Sequence, residues 1–175
     1  MRNVMRKLKK RNMKQILKIK HWQLFLIFFL PMYFAKSSMA LLIITEFELV
    51  LYSLWIYSTV KYGQLRLSDL GIKKNNFTFL KVNCLLLPII WLTIRLYTSQ
   101  TGISLNSIPF RVLLITWDLY FFVAFFHMTY FAAKTIIAAD KERDVNFKEF
   151  LSTMIGYIFF PIGIWFIQPK INKLN

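Results

Sequence analysis

The sequence predicts an all-α integral membrane helical bundle with about five transmembrane helices. Three observations predict it. The 175 residues are 57% hydrophobic and 18% aromatic, against about 45–50% apolar residues in a soluble domain. Only 18% are charged, below the usual ~25%. From Val112 to Ala133 the chain holds 22 residues with one formal charge, Asp118, and one histidine, His127. About 20 apolar residues at ~1.5 Å rise match a hydrocarbon core of ~30 Å. One transmembrane domain, residues 22–169, accounts for most of the chain.

Residues 1–21 are a basic cytoplasmic or interfacial N-terminal segment with nine Lys or Arg and no acid. Met5, Leu8, Met13, Ile16 and Ile19 gather on one side of a helical wheel. Two readings stand: a short helix on anionic lipid headgroups, or a solvated positive tail that sets topology. Met13 offers a second start. The first span, residues 22–35, is short, and Pro31 frees the carbonyl of Ile27. A cleaved signal peptide is the competing reading. A second span follows at once, however, and AKSSM suits a tight hairpin.

The second span, residues 39–60, carries Glu46 and Glu48. Two residues apart, they lie about 200° apart around a helix and cannot face one partner. The connection 61–76 is basic and mixed, and its leucines predict a segment on the membrane surface. The third span, residues 77–97, has Lys81 and Arg95 near opposite interfaces, with Pro88 as a kink. Residues 98–109 are polar and turn-rich. The fourth span is 112–134. Asn146 and Glu149 fit a reciprocal helix-start box. The fifth span, residues 150–169, is interrupted by Pro161 and Gly163, so it crosses as a kinked helix or dips in and returns. Residues 170–175 form a short C-terminal tail.

With five crossings and the N-terminus inside, Lys and Arg concentrate on the inner side at every loop, as the positive-inside rule requires. The net charge of +15 therefore belongs to topology, and no nucleic-acid partner is expected. The predicted location is the bacterial cytoplasmic (inner) membrane. Asp118 then lies about 12 Å deep and Glu46 about 9–10 Å deep by the helical rise. Arg95 is near the outer end of its helix. Side chains lean toward their own N-termini, so the three converge on one layer. A buried cluster of Glu46, Arg95 and Asp118 is expected, with Arg95 bridging the acids. Glu48, Asn83 and His127 are secondary candidates, His127 as a hydrogen-bonded packing residue on the opposite face from Asp118.

The sequence has no GxSxG, HExxH, Walker loop or CxxC. Two histidines and one cysteine, far apart, do not suit a metal site. No catalysis and no cofactor are expected. Trp22–Phe25, Phe79–Asn83 and above all the C-terminal run FPIGIWFIQPKIN resemble a family of small uncharacterised bacterial multi-pass membrane proteins. That resemblance implies no activity. The expected role is a non-catalytic accessory or assembly component, with a partner membrane protein or a homo-oligomer. The alternative is a small transporter or channel component that uses the Glu/Asp/Arg cluster.

Overall fold

The computed structural model describes residues 20–34, 36–72, 76–101 and 108–174. Residues 1–19 of the basic segment 1–21, on which the surface-helix and solvated-tail readings rest, lie outside them, as do Lys73 and Lys74. Among the described residues there are six helices and no strand: α1 (His21–Phe34), α2 (Ser38–Asp69), α3 (Thr78–Thr101), α4 (Ile108–Lys141), α5 (Phe147–Ile158) and α6 (Phe160–Lys173). Helices α2, α3 and α4 are each long and apolar enough to cross a membrane. Helix α1 has 14 residues, about 21 Å at the helical rise.

Local chemistry sets the ends. Ser37 caps α2, its hydroxyl accepting from the Ala40 N–H at 3.1 Å. Without a strong breaker, α2 runs on through residues 61–69, where the sequence suggested a surface connection. Leu67 in that stretch is buried. Gly63 lets α2 approach α4, because a Cβ there would meet Thr135 Cγ2 at 2.5 Å. The helix stops at Gly71, whose φ of 72° suits a residue without a Cβ. Asn146 and Glu149 form the expected capping box at the start of α5.

Residues 150–169 are not one crossing helix. They break at Phe159, and α6 folds back along α5. The two helices cross at Gly156 and Gly163, where a Cβ on Gly163 would overlap the Gly156 carbonyl. Small residues at a helix crossing permit this approach. Lys170 Nζ donates to Thr153 Oγ1 at 2.9 Å, closing the open end of the hairpin. Pro161 stands in the first turn of α6, where a missing N–H leaves nothing unsatisfied.

The hairpin opens at the basic end of the bundle. There the Tyr62 hydroxyl donates to the Leu174 carbonyl at 2.6 Å. Arg66 pairs with Glu142 at 2.9 Å, and His21 lies against Trp165. The tip meets Phe28 of α1 and Tyr52 of α2 through Phe160, with ring centroids 4.5 and 4.6 Å apart. Tyr52 in turn stacks on Phe125 of α4 at 5.8 Å. A pair of helices of 12 and 14 residues, each about 18–21 Å long, covers only part of the length of α2 and α4.

Candidate functional site

One face of α2 carries Glu48, Tyr52, Trp55, Thr59 and Tyr62, at alternating spacings of four and three residues. This is a single helical stripe, and below Glu48 it is devoted to the hairpin. The Tyr52 hydroxyl donates to the Tyr157 carbonyl at 3.1 Å. That carbonyl lies in the last turn of α5, where no helical N–H follows to satisfy it. Trp55 Nε1 donates to Gln168 Oε1 at 3.1 Å, and Gln168 Nε2 donates to Asn172 Oδ1 at 3.2 Å. Gln168 is fully buried. In a bilayer, backbone that leaves the regular helix persists only where protein or water completes its hydrogen bonds. The Tyr52 and Tyr62 hydroxyls do so for main-chain carbonyls of the hairpin, and Trp55 does the same for the buried Gln168 side chain.

Glu48 is the last member of the stripe and lies one turn beyond the tip. It lines a cavity of about 300 Å³ with Thr45, Tyr52, Phe28, Phe125 and Phe160. Its Oε1 is buried and has no hydrogen-bond partner among the described residues. Asp118 stands on α4 seven residues from Phe125, two turns farther along the same face. Lower on that face Thr129 and Ile136 are fully buried, whereas Asp118 is exposed. Both carboxylates thus lie past the hairpin, on faces of α2 and α4 that it covers below them.

The cluster expected from the sequence is not assembled in this form. Asp118 is not buried in the chain. Arg95 is exposed and packs its guanidinium over the Trp91 ring at 4.7 Å. No ion pair within 4.0 Å joins Arg95 to Glu46 or Asp118 among the described residues. Helical phase separates Asp118 from the other two. Glu46 shares its face with Val50, Ser53 and Tyr57, and Arg95 shares its face with Cys84 and Pro88. Val50, Ser53, Tyr57, Cys84 and Pro88 line one groove between α2 and α3, while Asp118 lies on a face of α4 turned away from α3. Glu46 is half-buried, with Oε2 lacking a partner among the described residues.

Asn83 and His127 are placed apart from the acids. Asn83 is fully buried and accepts from the Tyr120 hydroxyl at 3.1 Å. His127 packs edge-on to Phe79, centroids 4.6 Å apart. Its Nδ1 is buried without a hydrogen-bond partner among the described residues, and the ring also packs near Phe131, centroids 6.0 Å apart. Among the described residues no group of three His, Cys, Asp or Glu is arranged to hold a metal ion. Sequence reasoning passed over Tyr52, Trp55 and Gln168. The recurrence of hydrogen-bonding residues at four-three spacing along 48–62 was the available signal.

No family description, curated protein or solved structure matches the chain.

Proposed function

We propose that this is a non-catalytic component of a larger membrane assembly, and that the gap beyond the hairpin tip receives a helix of its partner. The observation that carries this reading is the uncovered carboxylate Asp118. Its neighbours on the outer side of α4, Ile115, Leu119 and Phe122, are 61%, 63% and 58% exposed. A carboxylate left among such residues in lipid costs roughly 2.5–3.5 kcal/mol on insertion scales. A partner helix bearing an Arg, Lys or hydroxyl donor at that level offsets the cost for Asp118 and Glu48 together. A second copy of the chain is a candidate for that partner.

In this reading the chain crosses a bacterial cytoplasmic membrane four times through α1–α4, and the α5–α6 hairpin enters and leaves on one side. The hairpin brings Lys170 and Lys173 to the basic end. Lys36, Arg95 and Arg111 are then the basic residues of the opposite side. This strengthens the charge bias that assigns the basic end to the cytosol.

The test is a photo-crosslinking amino acid at Phe122 in native membranes, with Val82 on α3 as the lipid-facing control. A discrete protein adduct at 122 that disappears in Asp118→Leu is the expected result. Lipid adducts alone at both positions overturn the reading. The cavity beside Glu48 supports a second one, a small transport component. It requires a flux in reconstituted vesicles that Glu48→Gln abolishes while protein yield is kept.

A further inference from the structure

The α2–α3 face holds a second, separate feature. A groove of about 400 Å³ runs between the two helices, within the size range of small-molecule sites. Leu54, Leu85 and Ile89 make its walls apolar. These three are 55%, 64% and 50% exposed, so the groove opens sideways toward the surrounding lipid. Two features are foreign to a surface that only meets hydrocarbon.

The first is Ser53. It lines the groove at 2% exposure, and its hydroxyl has no hydrogen-bond partner among the described residues. A serine inside a helix ordinarily back-bonds to the carbonyl four residues earlier, and a buried hydroxyl without a partner is costly. The second is the cationic mouth. Lys81 lines the groove at the end toward the start of α3. Lys61 reaches back over the Tyr57 ring at 5.2 Å, and Tyr57 is itself part of the wall. From Tyr57 to Ser53 is one helical turn, about 6 Å deeper.

Reading inward, the groove offers cationic ammonium groups, then a hydroxyl donor, then an apolar trough. A diacyl phospholipid presents the matching series: phosphate, ester carbonyl, acyl chain. We propose that this groove holds one anionic diacyl phospholipid of the leaflet at the basic end. Its phosphate lies at Lys81 and Lys61, and an ester carbonyl accepts from the Ser53 hydroxyl. The lipid is part of the folded unit, filling a gap that α2 and α3 leave between them. This site is independent of the gap beside Glu48 and Asp118.

The two recognition elements are separable with lipids of defined chemistry. Full-length protein in nanodiscs is offered equal amounts of ester-linked phosphatidylglycerol, ester-linked phosphatidylcholine and ether-linked phosphatidylglycerol. Retained lipid is counted by native mass spectrometry. Wild type is expected to prefer the ester-linked anionic lipid over both others. Ser53→Ala should erase the ester-over-ether preference, about threefold from one hydrogen bond, and keep the preference for the anionic headgroup. Lys61→Gln and Lys81→Gln should each weaken the headgroup preference about fivefold and keep the ester preference. Leu85→Trp, which fills the trough, should lower retention of all three.

Equal retention of ester and ether lipid by wild type overturns the proposal without any variant. So does a Ser53→Ala variant with an unchanged ratio. Displacement by inorganic phosphate as effective as by lipid makes this a free-anion site and overturns it too. A protein crosslink at Leu85 in native membranes, replacing lipid, does the same.

Discussion

The Tyr52 hydroxyl, on a helix long enough to cross a membrane, donates at 3.1 Å to the main-chain carbonyl of Tyr157, 105 residues away at the end of a half-length helix. That bond lets a broken helix sit inside the bundle. Tyr52→Phe keeps the ring and its contact with Phe160 but leaves the carbonyl without its donor. The expected cost is about 1–3 kcal/mol, the range for a buried acceptor stripped of its partner. Equilibrium unfolding in mixed micelles measures it. A variant as stable as wild type would show that the hairpin does not depend on this bond.

The two crossing glycines are not equivalent. A Cβ at Gly163 collides with backbone, the carbonyl of Gly156, whereas a Cβ at Gly156 meets the flexible end of Ile167 at 3.2 Å. Gly163→Ala is therefore expected at or beyond the upper end of the roughly 1–3 kcal/mol range for overpacking, with Gly156→Ala well below it. The order of the two in unfolding and in expressed yield is the check. The reversed order contradicts the crossing geometry.

The connection between α4 and α5 should be acid-sensitive. Glu149 accepts from Arg143, Lys141 and the Asn146 N–H, and these bonds hold its carboxyl down to about 2. A depressed carboxylate contributes stability that is complete above its unfolded value, near 4.5. That contribution disappears as pH falls through the folded value. Wild type should exceed Glu149→Gln in stability at pH 7, and the difference should shrink steadily from about pH 4.5 toward pH 2. A difference constant over that window excludes Glu149 as the titrating group.

In the four-crossing reading the hairpin puts Lys173 on the same side as Arg66. With Cys84, the single cysteine, replaced by serine, cysteines at Arg66 and Lys173 should be labelled by an impermeant reagent from one side. A cysteine at Lys36 should be labelled from the other. Labelling of positions 66 and 173 from opposite sides means that residues 150–169 cross.

Much of the fold was legible along the chain. Each apolar run became a helix, and the Asn146–Glu149 box opened α5 where its spacing required. The site was less legible. Depth along a helix follows from residue counting, so Glu46, Arg95 and Asp118 were readily set at comparable levels. Which neighbour covers each helical face does not follow from counting, and Asp118 lies on a face apart from the α2–α3 groove whose two sides carry Glu46 and Arg95. Glu48, the acid on the hairpin stripe, differs from Glu46 along the chain only in heading the four-three series that runs on to Tyr62.

The sequence by itself determined the helical membrane character, the helix start at Asn146, and the concentration of lysine and arginine in particular loops. These depend on composition and on contacts between near neighbours in the chain. Only the tertiary structure decided that α6 returns along α5, that Gly156 and Gly163 touch, and that beyond the hairpin Glu48 borders a cavity while Asp118 is exposed. Those outcomes rest on packing between residues far apart in sequence. There the direction of a face and the length of the element opposite it decide what is buried.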